Sequence, residues 1–165
     1  LVEGGSRELL YITEPQKGVS SRGERTAAFG ACVAAHEPRV AGEVYECTGD
    51  DSEGLDAALR ALHKRAKRGK RAAVLAGNAV VTLRLAAAMA RLGLRFGTDI
   101  GFVGFDDAEW APLIGPGLSA IAQPTEEIGR VAATCLLERL RGLEGPARQL
   151  LLPGELVVRG SSRSA

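Results

Sequence analysis

The chain has 165 residues and a net charge of +1, which is enough length for one domain, and its 45% hydrophobic content argues against disorder. The balanced charge gives no electrostatic case for nucleic-acid binding by the chain as a whole. Three widely spaced cysteines form no CxxC pair, which argues against a disulfide framework or a metal site. This cysteine usage favours a reducing, cytoplasmic compartment. No apolar run reaches the ~20 residues of a transmembrane helix, so no membrane partner is expected.

Short apolar runs alternate with helical patterns along the chain. Predicted strands cover residues 8–13, 44–47, 72–76, 100–105, 118–122 and 155–159. Capping signals and apolar stripes of helical period predict helices at residues 21–35, 55–66, 79–92 and 126–141. This alternation predicts an α/β fold, a parallel sheet flanked by helices. The polar tail, residues 160–165, is expected to fray.

Two of the predicted helix starts carry capping signals. Ser21 and Glu24 have the spacing of a capping box for the first helix. Asn78 is placed to cap the third helix, a role that is compatible with ligand contact as well. Asn78 is therefore a candidate for both roles.

A basic run closes the second helix. Such a run can mark a nucleic-acid site. Cations also suit the C-terminus of a helix, and no aromatic residues interleave here for base stacking. We favour a solvated helix end for the run, which comprises Lys64, Arg65, Lys67, Arg68, Lys70 and Arg71.

Two adjacent carboxylates, Asp106 and Asp107, follow the strand predicted at residues 100–105. Open α/β sheets place ligands at the carboxyl ends of their strands, so these side chains are candidates for a cleft. The alternative is a turn in which both cap the local backbone. Arg25 lies near the same edge, with a surface arginine as its alternative.

An enzyme is not expected from these residues. Adjacent residues in an extended segment point to opposite sides, so Asp106 and Asp107 make a poor catalytic dyad. No activated nucleophile with its base can be assembled. The glycines form no GxGxxG or Walker pattern, and no cofactor is predicted.

Several motifs occur along the chain in the same order as in a known protein family. They are Glu24-Arg25-x-x-x-Phe29, Gly77-Asn78, Thr98-Asp-Ile-Gly-Phe-Val-Gly-Phe-Asp-Asp107, Gln123-Pro124 and Leu151-Leu-Pro-x-Glu-Leu-Val-Val-Arg-Gly-Ser161. Over nearly its whole length the chain resembles the lactose-repressor (LacI/GalR) family of bacterial transcription regulators. The resemblance implies a periplasmic-binding-protein-like (type I) lobe that senses a small-molecule effector, a sugar or nucleoside-like compound.

The resemblance also implies a domain organisation. Residues 1–119 would form the C-terminal lobe of an effector-binding domain, residues 120–152 would cross to an N-terminal lobe, and residues 153–165 would form the return strand and tail. DNA binding would belong to a helix-turn-helix head outside this chain, and the family forms homodimers. The alternative is a fragment of a secreted sugar-binding protein of periplasmic-binding-protein type.

Four candidate ligand-binding residues follow from the family's pocket positions: Ser21, Arg25, Asn78 and Asp106. An arginine fork suits polar ligand edges, and an aspartate can accept hydrogen bonds from paired hydroxyl groups. Trp110 is a fifth candidate that could supply an aromatic face at the cleft rim. Packing is the alternative for this tryptophan.

Departures from the family pattern surround these candidates. Ala79 stands where the family usually has aspartate, and Thr82 and Arg84 stand where small residues usually follow. The aromatic residue often found after the second strand is absent, with Gly49 nearby. A pocket without its stacking ring is expected to bind a different ligand or to bind weakly.

Overall fold

The structure is a computed structural model that describes residues 1–36, 39–66 and 71–163. The elements, in chain order, are β1 (Ser6–Thr13), α1 (Ser20–Ala35), β2 (Ala41–Glu46), α2 (Ser52–Ala66), β3 (Arg71–Ala76), α3 (Ala79–Leu92), β4 (Gly101–Phe105), β5 (Ser119–Ala122), α4 (Thr125–Leu140) and β6 (Glu155–Val157). A short 3-10 helix, Ala111–Leu113, lies between β4 and β5. In the described ranges, no helix is long and apolar enough to cross a membrane.

All six strands form one sheet, in the order β2-β1-β3-β4-β5-β6. The first five strands are parallel, and β6 pairs antiparallel with β5. The predicted α/β fold with a parallel sheet is therefore confirmed. The strand order runs outward from β1 in both directions, so the crevice between β1 and β3 is where such sheets bind ligands.

The two faces of the sheet are covered unequally. Helices α2 and α3 cover one face and bury a large aliphatic cluster. The opposite face has a smaller cluster around Leu9, Val40 and Ala73, against which Phe29 and Val33 of α1 pack. Helix α1 buries no residue completely. The largest buried side chains of α2 and α3 are Leu55, Leu59, Leu62, Val81, Leu85 and Met89.

Helix α4 makes little contact with the rest of the described chain. It has no buried residue, and Leu136 is 60% exposed. An open groove separates its apolar side from residues 148–152. The expected crossing of residues 120–152 to another lobe stays a prediction, but the exposure of α4 is what that prediction requires.

The predicted capping box at Ser21 and Glu24 is wrong. Helix α1 begins one residue earlier, after Val19, and its N-cap makes no side-chain hydrogen bond. The amides of Arg22 and Gly23 instead donate to the Val19 carbonyl oxygen, at 3.2 and 3.4 Å. Ser21 therefore lies exposed inside the first turn.

The expected fraying of the tail is also wrong as far as residue 163. Ser161 is fully buried. Its carbonyl oxygen accepts from the Phe102 amide at 2.8 Å, and its hydroxyl donates to the Phe102 carbonyl oxygen at 3.0 Å. The Ser119 amide donates to the same hydroxyl at 2.8 Å. A polar sequence is thus fixed to β4 and β5 by hydrogen bonds, which the composition did not indicate; residues 164–165 lie outside the described chain.

The basic run is partly described. Arg65 forms ion pairs with Glu8 at 3.2 Å and Glu43 at 3.1 Å, on β1 and β2. These pairs fix the C-terminal end of α2 to the sheet. Residues 67–70, which carry the middle of the run, lie outside the described residues.

Candidate ligand-binding site

Asp106 follows β4 directly at the carboxyl edge of the sheet. Its φ of 70° makes it the one non-glycine residue with positive φ among the described residues. This conformation costs about 1–2 kcal/mol for most residues, although aspartate adopts it more readily than most. The turn places Oδ2 3.3 Å from the Ala79 amide at the start of α3, and Oδ1 accepts from the Gln123 side-chain amide after β5.

Asp107 points away from this arrangement. Both of its oxygens accept from the Arg159 guanidinium, at 2.6 and 2.8 Å. Hydrogen bonding to Asp107 raises the pKa of the Arg159 guanidinium above its ordinary value. The two carboxylates diverge, as expected for adjacent residues, and Asp107 fixes the return of the chain after β6.

Asn78 connects α3 to β1. Its Oδ1 accepts from the Val81 amide at 2.9 Å, which confirms the predicted N-cap. Its Nδ2 donates to Glu14 Oε2 at 2.8 Å. Glu14 is the first residue after β1, so this contact spans the crevice between β1 and β3.

Arg25 projects from the second turn of α1 across the same crevice. Its Nη1 donates to the Gly77 carbonyl oxygen at 2.7 Å, and its Nη2 donates to Gln123 Oε1 at 3.4 Å. The guanidinium carbon lies 4.1 Å from the centre of the Phe105 ring, in cation–π geometry. Gln123 therefore connects Arg25 to Asp106, and this network spans α1, β3, β4 and β5.

A second cluster of charge surrounds Glu14. Its Oε2 accepts from Arg22 Nη2 at 2.5 Å, and its Oε1 lies 3.6 Å from Arg84 Nη1. Arg84 also donates to the Cys47 carbonyl oxygen at 3.3 Å, at the carboxyl end of β2. Burial raises the pKa of the Cys47 thiol, which keeps it protonated and unreactive.

The candidate residues therefore separate into two groups. Arg25 and Asp106 share Gln123 as a partner, and Asn78 lies between Gly77, which accepts from Arg25, and Ala79, whose amide donates to Asp106. Ser21 lies at the same end of the molecule but is exposed, and Trp110 is half-buried and packs against the main core cluster. The structure therefore shows Trp110 in the packing role that was the alternative to ligand contact. Ligand contact by Ser21 or Trp110 stays a prediction.

Sequence reasoning missed several residues of this edge. Glu14 and Gln123 were not among the candidates, although each follows the carboxyl end of a strand, as Asp106 does. Arg84 was noted only as a departure from the family pattern. Its position on the second turn of α3 gives no sequence signal for contact with β1 and β2. Over the described residues, no group of three or more His, Cys, Asp or Glu side chains is arranged to hold a metal ion.

Comparisons with known proteins identify the family of the chain. The chain matches the family described as a periplasmic binding protein-like domain over residues 1–162. It is 40% identical to the HTH-type transcriptional regulator PtxS of Pseudomonas aeruginosa, over 96% of this chain and 45% of that protein. It is 36% identical to the HTH-type transcriptional regulator KdgR of Bacillus subtilis, over 95% of this chain and 46% of that protein.

A solved structure shares the fold. The probable maltose operon transcriptional repressor of Staphylococcus aureus superposes with a TM-score of 0.85 at 20% identity, over 97% of this chain and 55% of that chain. At this identity the likeness concerns the fold alone.

A parallel α/β lobe with polar side chains gathered at the carboxyl edge is a small-molecule binding architecture. The chain belongs to the periplasmic binding protein-like domain family, and its relatives are transcriptional regulators of the LacI type, not enzymes. It spans less than half the length of the two regulators named above.

Proposed function

We propose that this chain is the effector-sensing and dimerisation part of a LacI-type transcriptional regulator. The effector binds at the carboxyl edge of the sheet, where Arg25, Asn78 and Asp106 supply polar contacts. Ser21 and Trp110 complete the site from its rim. The observation that carries the proposal is the Arg25–Gln123–Asp106 network, which gathers donors and acceptors from four elements at the crevice.

The chemistry of this edge suits a hydroxylated small molecule. The Asp106 carboxylate can accept two hydrogen bonds, and the Arg25 guanidinium offers a planar fork of donors. Asp106 follows β4 directly, and the Arg25 guanidinium bonds to Gly77 and Gln123, which follow β3 and β5. Both groups are therefore in place before a ligand arrives, which reduces the entropic cost of binding. A sugar presents paired hydroxyl groups that match such donors and acceptors.

The rest of the regulator completes the function. Residues 120–152 cross to an N-terminal lobe that covers the exposed side of α4, and the effector lies between the lobes. DNA is bound by a helix-turn-helix head outside this chain, and two copies associate. A regulator that acts on DNA works in the cytoplasm. The names of the relatives favour this function over a secreted sugar-binding protein.

Calorimetry on the complete gene product tests the site. Arg25→Ala and Asp106→Ala should each weaken effector binding by about 1–3 kcal/mol, because each removes hydrogen bonds to a charged group. Arg95→Ala is the matched control. The Arg95 side chain is 73% exposed, and the residue precedes β4, at the edge of the sheet opposite the proposed site. Unchanged affinity in both test variants would contradict the assignment.

A further inference from the structure

Phe105 supports the candidate site without being one of its polar residues. The guanidinium carbon of Arg25 lies 4.1 Å from the centre of the Phe105 ring. We infer that Phe105 is a positioning residue, whose ring holds the Arg25 guanidinium in one plane at the carboxyl edge of the sheet. The use of this fixed guanidinium for effector binding rests on the proposed function.

The hydrogen bonds of Arg25 to described residues do not fix this plane by themselves. Its Nη1 donates to the Gly77 carbonyl oxygen at 2.7 Å, whereas the contact of Nη2 with Gln123 Oε1 is long, at 3.4 Å. One short hydrogen bond fixes one end of the fork and leaves rotation about that bond free. An aromatic face beside the guanidinium opposes this rotation, because the attraction requires the cation to lie over the ring.

Strand β4 supplies this ring together with the carboxylate of the site. Phe105 is the last residue of β4 and pairs in register with Ile121 of β5, so the sheet determines where the ring lies. Asp106 comes next, and its positive φ turns the chain at that point. Two consecutive residues therefore have different roles, since Phe105 contacts Arg25 and Asp106 is a candidate ligand contact.

Packing in the core does not account for Phe105. The residue is only partly buried, and it belongs to neither of the two hydrophobic clusters of the described chain. Its ring instead borders an open apolar groove between α1 and the sheet, next to Phe29, Leu75 and Ile121. Loss of the ring should therefore affect Arg25 more than the core, which makes the two roles separable by experiment.

Chemical modification of the complete gene product tests the position of Arg25 without any effector. Phenylglyoxal reacts with arginine side chains, and mass spectrometry of the digested protein gives the rate at each arginine. Phe105→Leu keeps an apolar side chain but loses the ring, so Arg25 should react about threefold to thirtyfold faster, the scale of a cation–π contact. Phe105→Tyr keeps the ring and should react as wild type does. Arg95 is the internal control, because its side chain is 73% exposed and it precedes β4.

A double-mutant cycle connects this position to binding. The probe is the compound that most raises the melting temperature of the wild-type gene product, from a panel of pentoses, hexoses, sugar acids and nucleosides. Phe105→Leu should weaken binding of this probe by about threefold to thirtyfold. It should cause no further loss in the Arg25→Ala background, because the ring acts through Arg25. Phe96→Leu is the control variant: Phe96 packs edge-to-face against Phe102 and precedes β4, so the affinity should stay at the wild-type value.

Each outcome decides the inference. An unchanged reaction rate of Arg25 in Phe105→Leu would overturn it. An equal loss of binding with and without Arg25 would also overturn it, because the ring would then act through the fold. Unfolding of both Phe105→Leu and Phe105→Met would assign the ring to the core and overturn it as well. Failure of every compound in the panel to bind would contradict the proposed function, while the reaction rate of Arg25 would still decide the role of Phe105.

Discussion

Asn78 combines helix capping and a contact across the crevice in one side chain. Its Oδ1 caps α3, and its Nδ2 bonds Glu14. Asn78→Ala loses both contacts, and loss of a cap costs about 0.5–2 kcal/mol of unfolding free energy. Asn78→Ser keeps a capping oxygen but lacks the amide donor, so it should recover most of the stability in urea unfolding. Equal destabilisation by both variants would show that the Glu14 contact, not the cap, stabilises the fold.

Tyr45 gives the fold a pH dependence in alkaline solution. Burial and the hydrogen bond from its hydroxyl to Asp51 raise the pKa of Tyr45 from 10.0 to about 12. The unfolded chain therefore loses this proton first, and the contribution of the residue is fully present below about pH 10 and is lost as the pH rises toward 12. The stability advantage of wild type over Tyr45→Phe should shrink from pH 9 to pH 11.5 in denaturant titrations. A constant advantage would contradict the prediction.

A leucine-to-alanine substitution should destabilise the 165-residue chain much more in helix α2 than in helix α4. Leu59 of α2 is fully buried, so Leu59→Ala should cost about 2–5 kcal/mol. Leu136 of α4 is 60% exposed in a single copy, so at protein concentrations low enough to keep the chain monomeric Leu136→Ala should change the unfolding free energy by less than about 0.5 kcal/mol. Chemical denaturation of the two variants at such concentrations measures both values. A large cost at Leu136 in the monomer would mean that α4 packs against its own lobe.

The sequence predicted the elements better than the contacts between them. The Asn78 cap was predictable because a cap and its helix are neighbours in the chain. The Ser21 capping box failed because α1 begins at Ser20, and a shift of one residue removes the geometry that such a box needs. The Arg84–Glu14 contact joins residues 70 positions apart, and nothing local to either residue indicates it.

The exposed apolar surface of the whole molecule predicts that copies of the chain associate with one another. Ile128, Leu136 and Leu140 present one side of α4 to solvent. Burying each large side chain yields about 1.5–3 kcal/mol, which is large beside the marginal stability of a domain. The isolated 165-residue chain should therefore form dimers or larger species, with α4 packed against a neighbouring copy. Sedimentation across a concentration series measures this.

Paired variants locate the contact surface. Leu136→Glu with Leu140→Glu should yield a monomer, whereas Val80→Glu with Leu83→Glu on the outer side of α3 should not. Both pairs carry exposed side chains, so neither change should unfold the core. A wild-type monomer at all concentrations would contradict the prediction. Loss of association only in the α3 pair would assign the contact to that helix instead.

The hydrogen bonds of Ser161 make the lobe discontinuous along the chain. Residues 159–162 complete the hydrogen bonding of β4 and β5, whose own residues lie about 40 to 60 positions earlier. During translation, β1 to β5 emerge from the ribosome well before these closing residues do. The nascent lobe must then wait several seconds, at a synthesis rate of about 5–20 residues per second, with one edge of its sheet incomplete. Residues 159–162 thus decide when this lobe becomes a finished structure.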